Sequence, residues 1–306
     1  VDQGVEVIAV KFTSPFCQCD SGGCCHAAEQ ARRMGIPLKT FAKGDDYLEV
    51  VRHPKHGWGS GMNPCIDCRI FMLKKTVDYM QEIGASFLFT GEVLGQRPMS
   101  QHRRALDLIE RETGLVNRIL RPLSAQLLPP TEAELNGWVD REKLLAVNGR
   151  SRKPQMALAK ELGVTDTPCP AGGCLLTERN FASRLRDLFA HTESAGMRDV
   201  RLLKYGRHFR LGEAKIICGR DAAENKMLRQ LRQPNEELYY LVEGPSPTVL
   251  LLGEPTPEAV KLAAEVTLAY AATEEETVAV RRITPQSAEV IQTTRVNRDS
   301  LKYYHV

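Results

Sequence analysis

The sequence lacks any apolar run of the roughly 18 residues that a membrane-spanning helix requires. Its net charge is only +3, and it contains neither low-complexity tracts nor internal repeats. The missing apolar run excludes a helical membrane protein, and the small net charge means that nucleic-acid binding depends on where basic residues cluster. What is present, 42% hydrophobic and 26% charged residues, is the composition of an ordinary globular chain.

The opening residues also lack the basic and apolar pattern of a secretion signal. We therefore expect a cytoplasmic protein. In a reducing cytosol, paired cysteines bind metal or take part in chemistry more often than they form structural disulfides. The nine cysteines of this chain are therefore the first candidates for a functional site.

Strands and helices alternate through the first part of the chain. Strands are predicted over residues 5–10, 37–42 and 86–91, and helices over residues 22–36 and 68–85. This alternation predicts an α/β fold with a doubly wound parallel sheet, in which ligands bind beyond the carboxyl ends of the strands.

Two features of the chain suggest how it is divided. Residues 1–4 resemble the end of a helix closed by Gly4, so we expect that a first βα unit is missing; a frayed tail is the alternative. After residue 196 the pattern changes to short strands and two helices, with strands predicted over 200–211, 215–219, 239–242 and 248–252. We therefore predict two domains, residues 1–190 and a smaller α+β domain over residues 196–306.

Four cysteines lie in two motifs that are typical of reactive or metal-binding sites. Cys65 and Cys68, in NPCIDC, begin a helix, where the helix dipole favours thiolate. Cys169 and Cys174 lie in the Pro- and Gly-rich loop DTPCPAGGCLLT. Three arrangements remain open: a four-sulfur zinc site, three thiolates around a 4Fe-4S cluster with one iron free, or a persulfide on Cys174 that Cys68 resolves.

The other five cysteines are less informative. Cys17, Cys19, Cys24 and Cys25 follow a strand, but their spacing fits no common zinc pattern. Cys218 lies in the apolar segment KIICG and is predicted to be a core residue.

Three motifs together resemble a known enzyme family. NPCIDC before a helix, then FTGEVLGQRPMSQ, then GGCLLT are similar to segments of the tRNA thiouridine synthases, over about residues 5–188. The resemblance implies the adenine nucleotide α-hydrolase fold. It also implies that ATP and Mg²⁺ activate a tRNA uridine oxygen as an adenylate, which sulfur then replaces.

The resemblance also implies roles for the cysteines. Cys68 matches the first family cysteine and Cys174 the second, sulfur-carrying one, so both are predicted to be catalytic. Many 2-thiouridylases have aspartate in place of Cys65. A cysteine there resembles the subgroup in which three cysteines, here Cys65, Cys68 and Cys174, bind a 4Fe-4S cluster, with zinc as the alternative.

The nucleotide site is only partly represented. By resemblance, Gly91, Glu92 and Gln96 face the nucleotide or uridine, and the backbone of Val10 contacts adenine. The PP-loop of the family, Ser-Gly-Gly-x-Asp-Ser, is absent, since the Ser-Gly-Gly of CDSGGCC lacks the Asp-Ser. We expect that truncation explains the absence of the PP-loop and that residues 1–306 by themselves bind ATP poorly.

Basic residues cluster in the predicted second domain. Residues 198–232 contain ten Lys or Arg against four Asp or Glu, and Tyr205, His208 and Phe209 lie among them. This pattern suits contact with phosphates and bases, and a solvated sheet face is the alternative. The segment GRDAAENKML resembles the RNA-binding domain of NFACT proteins, over about residues 201–252.

A second group of basic residues could extend the contact with tRNA. The segment QHRRALDLIERETGLVNRILR carries five arginines on one helical region: Arg103, Arg104, Arg111, Arg118 and Arg121.

These patterns together predict an ATP-dependent tRNA sulfurtransferase, with tRNA and a persulfide or sulfide donor as its partners. Two other functions remain open. One is a non-catalytic RNA-binding protein with a structural zinc site, and the other is a PP-loop ATP pyrophosphatase that acts on a small molecule.

Overall fold

The computed structural model describes residues 1–17, 26–164 and 173–306, and it divides into two compact units, Val1–Glu178 and Arg179–Val306. The predictions for Cys19, Cys24, Cys25 and Cys169 lie outside the described residues.

The first unit contains short strands between amphipathic helices. In chain order its elements are β1 Ala9–Thr13, α1 His26–Arg33, β2 Leu38–Ala42, α2 Asp45–Arg52, α3 Cys65–Glu82, β3 Leu88–Phe89, α4 Arg103–Thr113, β4 Ile119–Leu120, α5 Glu132–Leu135 and α6 Lys153–Glu161. Its core includes buried residues of α3, α4 and β4, among them Leu73, Ile109 and Ile119.

The strands of the first unit pair in parallel. β1 pairs with β2, from Ala9 opposite Leu38 to Thr13 opposite Ala42, and β3 pairs with β4. The first strand therefore begins at Ala9, four residues after its predicted start at residue 5. Within the described ranges the two pairs are not joined, so a doubly wound sheet stays a prediction.

Local signals at two helix ends are confirmed. Gly84 follows the last turn of α3 with a φ of +69°, a left-handed conformation that glycine adopts without a steric penalty. At the start of α5, the Glu134 carboxylate accepts hydrogen bonds from the Thr131 N–H (2.7 Å) and from its hydroxyl (2.8 Å). Thr131 therefore caps this helix through Glu134, as the sequence predicts.

The second unit is built on one antiparallel sheet. In chain order its elements are α7 Arg179–His191, α8 Met197–Leu202, β5 Arg207–Leu211, β6 Ala214–Cys218, α9 Ala222–Leu231, β7 Glu237–Leu241, β8 Val249–Leu252, α10 Pro257–Ala269, β9 Thr277–Ile283, β10 Ala288–Thr294 and α11 Arg298–Leu301. The six strands lie in the order β10-β9-β7-β8-β6-β5.

Both faces of this sheet are covered by helices. Because side chains alternate along a strand, Ile216 and Cys218 face α10 while Ile217 faces the opposite side, where α8 and α9 contribute Leu202 and Leu228. Cys218 is fully buried, so its predicted place in the core is confirmed.

Parts of the second unit differ from the sequence prediction. Residues 200–211 are not one strand, because the chain completes α8 and turns at Gly206 before β5 begins. The hairpin of β9 and β10 was not predicted. The unit boundary follows Glu178, because α7 contributes Asp187 to ion pairs with Arg210 of β5 and Lys215 of β6.

Among the helices that the structure describes, none combines the length and apolar character needed to cross a membrane.

Candidate active site

Segments that are distant in sequence meet beyond the carboxyl ends of β1 and β2. Cys17, four residues after β1, forms an isolated antiparallel bridge with Cys174, and the Leu175 N–H donates to the Phe16 carbonyl at 2.9 Å. The Met62 N–H, just before α3, donates to the Leu176 carbonyl at 2.8 Å. These contacts bring the loops that carry Cys17, Cys68 and Cys174 to one place.

Lys43 is the cation of this site. Its backbone N–H donates to the Thr13 carbonyl (2.9 Å), which places Lys43 directly after β2 and beside the end of β1. The Lys43 ammonium donates to Cys68 Sγ at 3.0 Å and lies 4.5 Å from the centroid of the Tyr47 ring. An ammonium group at this distance neutralises negative charge on the sulfur when Cys68 reacts.

Tyr47 adds a hydroxyl to the same group. Burial raises the pKa of Tyr47, and charge on the nearby sulfurs of Cys68 and Cys174 raises it further. The phenol therefore stays protonated at neutral pH and donates its hydrogen bond to Cys68.

Cys174 differs electrostatically from an exposed thiol. Burial raises the pKa of Cys174 to about 12, and charges on Cys68 and Cys17 act in the same direction, opposed by Lys43 and a hydrogen bond from the Leu176 backbone. Cys174 is thus a protonated thiol at neutral pH, and Cys17 and Cys68 are its nearest thiol neighbours among those that act on its pKa.

Cys65 has a different hydrogen-bond partner from Cys68. Its thiol donates to the Ser100 hydroxyl at 3.1 Å, whereas Cys68, one turn further along α3, contacts Lys43. In residues 1–17, 26–164 and 173–306, no three His, Cys, Asp or Glu side chains are grouped as metal ligands. The described donors do not fit a 4Fe-4S cluster or a zinc ion. Both stay predictions, and no step below passes through either.

The residues predicted to contact nucleotide lie in two places. Val10 is in β1, while Gly91, Glu92 and Gln96 follow β3. Glu92 is buried, and its carboxylate pairs with Arg121 (3.2 Å) and Arg69 (3.3 Å). Because both arginines already neutralise this carboxylate, Glu92 holds the loop after β3 in place, and its contact with nucleotide stays a prediction.

The arginine-rich segment of the first unit has fewer unpaired cations than its sequence suggests. Three of the five arginines are ion-paired: Arg103 with Asp107 (2.9 Å), Arg118 with Glu132 (3.2 Å) and Arg121 with Glu110 (2.5 Å). Within the described part of the chain, Arg104 and Arg111 have no ion-pair partner. Both line a cavity of about 460 Å³ beside α4.

Most basic residues of the second unit are also used internally. Examples are Arg198 with Glu236, Arg220 with Glu224, and Arg207, whose guanidinium lies 4.4 Å from the Tyr270 ring. His208 and Phe209 are 1% and 0% exposed, so the expectation that these two rings contact bases is wrong. Alternation along β5 places the two rings on opposite faces of the sheet, and both rings are buried because helices cover both faces.

One face of the second unit has exposed Lys and Arg side chains that can contact phosphates. Arg201 of α8 and Lys226 of α9 are exposed and have no ion-pair partner among the residues described. Lys226 and the exposed Arg229 line a depression of about 430 Å³ beside α9. We call the surface formed by Arg201, Lys226 and Arg229 the α8–α9 face.

The sequence analysis names Cys68 and Cys174 as site residues, which stays a prediction, and it does not name Lys43 and Tyr47, which lie beside Cys68. Both follow a predicted strand, where an α/β fold places ligand-binding groups, so their position was the available signal. The sequence places Cys17 in a cluster with Cys19, Cys24 and Cys25 but indicates no role for it.

Comparison with known proteins gives partial matches. Residues 206–305 match the NFACT protein RNA binding domain, a longer range than the predicted 201–252. Over an alignment of 213 residues, the chain is 29% identical to tRNA-specific 2-thiouridylase MnmA of Xanthobacter autotrophicus and 28% identical to that of Azorhizobium caulinodans. Each alignment covers 63% of this chain and 51% of the relative, so the chain spans about half the length of the curated relatives it matches.

A solved structure, the C-terminal of the fibronectin/fibrinogen-binding protein from Streptococcus suis, aligns at 12% identity and a TM-score of 0.31, covering 86% of this chain and 98% of that chain. A TM-score this low carries no argument about the fold. The sequence matches show a chain similar to tRNA-specific 2-thiouridylases over part of its length and to the NFACT RNA-binding domain over residues 206–305.

Proposed function

We propose that this chain takes part in the ATP-dependent thiolation of a tRNA uridine, with Cys174 as the sulfur carrier. The observation that carries the proposal is the meeting of Cys174, Cys68 and Lys43 beyond the carboxyl ends of two parallel strands. The partial similarity to 2-thiouridylases supports the same function.

The chemistry needs an activated oxygen and a nucleophilic sulfur. Adenylation by ATP, with Mg²⁺, converts the uridine oxygen into part of a leaving group. A persulfide on Cys174 forms when the Cys174 thiol attacks the outer sulfur of a persulfide donor, whose own thiol departs. The outer sulfur of the Cys174 persulfide then attacks the ring carbon, and AMP departs. A second thiol then attacks Cys174 Sγ, breaks the sulfur–sulfur bond and leaves its electron pair on the sulfur now bound to uridine.

The described residues contribute to this chemistry in distinct ways. Lys43 and Tyr47 offer hydrogen bonds and positive charge to sulfur at Cys68. By resemblance, Cys68 is the second thiol of the relay, and Val10, Gly91, Glu92 and Gln96 serve the nucleotide.

The proposed function is tested by deleting the gene that encodes this chain and measuring thiolated uridines in total tRNA by nucleoside mass spectrometry. We expect at least one thiolated uridine to disappear and to return when the wild-type gene is restored. Unchanged thiolated uridines in the deletion strain would overturn the proposal.

We further propose that the α8–α9 face contacts tRNA phosphates. Replacing Arg201 and Lys226 with glutamine should lower tRNA affinity about tenfold near 0.1 M salt. It should also reduce the slope of log affinity against log salt by about 0.7–0.9 for each phosphate that the variant no longer neutralises. Fluorescence anisotropy with labelled tRNA over a salt series measures both quantities.

The matched control for this pair is Lys261→Gln. Lys261 is also exposed, lies 3.8 Å from the Glu265 carboxylate, and is on α10, which packs against the opposite face of the sheet. A loss of log affinity with Lys261→Gln that is at least half that of the two-residue variant would show that binding follows net charge rather than the α8–α9 face.

A further inference from the structure

Cys17 is the cysteine of the site to which the sequence resemblance assigns no role. It lies after β1 with its N–H donating to the Ser14 carbonyl (3.1 Å) and its sulfur 3.4 Å from the Ser14 hydroxyl. Across the bridge it lies directly opposite Cys174, and both residues are free thiols.

The hydrogen bond beside this bridge defines how the two cysteines face each other. The donor, Leu175 N–H, follows one cysteine and the acceptor, the Phe16 carbonyl, precedes the other. In an antiparallel pair this pattern marks a non-hydrogen-bonded position, where Cα atoms are about 4.5 Å apart and both side chains project on the same face. A disulfide requires Cα atoms about 4.4–6.8 Å apart. The bridge therefore places Cys17 and Cys174 at a separation that a disulfide can span.

Buried neighbours keep the two segments in this register. Phe16 is 2% exposed and Leu176 is 0% exposed, and the Leu176 carbonyl is held by the Met62 N–H. Moving either cysteine away from the other would expose one of these side chains and break a backbone hydrogen bond. The backbone pairing that sets Cys17 opposite Cys174 is thus built into the packed structure.

Cys68 is placed differently. Its sulfur is engaged by the Lys43 ammonium, and it projects from the first turn of α3 rather than from a segment paired with Cys174. Backbone pairing places Cys17, and not Cys68, directly opposite Cys174.

We propose that Cys17 is the thiol that resolves Cys174 after sulfur transfer, a role that rests on the proposed function and reassigns the resolving step from Cys68. The Cys17 thiol loses its proton to solvent and attacks Cys174 Sγ. The bond between Cys174 and the transferred sulfur breaks, the electron pair leaves on the sulfur bound to uridine, and a Cys17–Cys174 disulfide forms. A thiol reductant then supplies two electrons and returns both cysteines to thiols.

The test is to treat the reduced chain with one equivalent of oxidised glutathione and to map its disulfides by peptide mass spectrometry. We expect the Cys17–Cys174 disulfide to exceed Cys68–Cys174 at least tenfold. Cys68→Ser should retain it, and Cys17→Ser should lose it. Pairing of Cys174 mainly with Cys68 or another cysteine, or a Cys174 that remains reduced, would overturn the proposal.

A second measurement distinguishes a failure of Cys17 to resolve Cys174 from a failure to load the persulfide on Cys174 and from a failure of the variant to fold. In Cys17→Ser, polysulfide should still load a persulfide on Cys174 to the wild-type extent, while thiolated uridine in cells carrying this variant should fall about tenfold or more. Wild-type thiolation in Cys17→Ser would overturn the role of Cys17. If deletion of the gene leaves tRNA unchanged, the proposed function fails, whereas the disulfide map is unaffected.

Discussion

Replacing Lys43 with methionine should slow the reaction of Cys68 with iodoacetamide by roughly tenfold to a hundredfold at neutral pH. The Lys43 ammonium lies 3.0 Å from Cys68 Sγ and is 7% exposed, so no solvent ion takes its place readily. A hydrogen bond to a charged group contributes about 1.5–3 kcal/mol, which corresponds to this range of rates because alkylation proceeds through the thiolate. Peptide mass spectrometry of Cys68 over a time course measures the rate.

Lys39→Met is the matched control for this experiment. Lys39 precedes Lys43 by four residues, is exposed, and also lies over aromatic rings, 5.6 Å from Phe41 and 5.3 Å from Tyr79. It should leave the alkylation rate of Cys68 unchanged. Equal rates in wild type and Lys43→Met would show that Lys43 does not activate Cys68 and would remove it from the proposed site.

Replacing Asp187 with asparagine should destabilise the second unit by about 2–4 kcal/mol near neutral pH. The Asp187 carboxylate accepts two hydrogen bonds from Arg210 (2.7 and 2.9 Å) and pairs with Lys215. Burial would raise the pKa of Asp187, but hydrogen bonds from Arg210 and Lys215 outweigh it and hold that pKa at about 2. The variant leaves two partly buried cations without their counter-charge.

The pH dependence of this loss follows from two titrations. The pKa of Asp187 is lower in the folded chain than its ordinary 3.8, so its contribution is complete above about pH 4 and is lost as pH falls through about 2. Burial lowers the pKa of Lys215 to about 8, and Asp187 opposes that effect. Lys215 becomes neutral above pH 8, so the difference between wild type and variant should shrink from pH 6.5 to pH 9.

Hydrogen exchange of the full chain measures the loss of stability in the strands that contact Asp187. Peptides covering β5 and β6 should exchange faster in Asp187→Asn, whereas Glu193→Gln, an exposed carboxylate just after α7, should exchange like wild type. Unchanged protection of β5 and β6 in Asp187→Asn would contradict the importance assigned to this pair.

Local features of this protein could be predicted because they depend on neighbours in the sequence. The helix after NPCIDC, the glycine at its end, the Thr131 cap and the burial of Cys218 follow from spacing, backbone freedom and apolar pattern. The choice of Cys68 and Cys174 came from motif resemblance. Residues 200–211 were mistaken for one strand because a short apolar segment has no period that separates helix from strand.

In contrast, the tertiary structure decides which basic side chains stay exposed and unpaired. A count of basic residues in 198–232 suggests a broad cationic surface, but folding pairs half of them with carboxylates or a ring and leaves the α8–α9 face exposed. The paired residues are Arg198, Arg207, Arg210, Lys215 and Arg220.

The amino-acid sequence alone determined which thiols exist and which helix presents Cys68. Only the tertiary structure decided that Lys43 meets Cys68 and that Cys17 lies opposite Cys174. The physical reason is that these pairs are separated by 25 and 157 residues along the chain and meet only where parallel strands end side by side and a distant loop pairs with one of them.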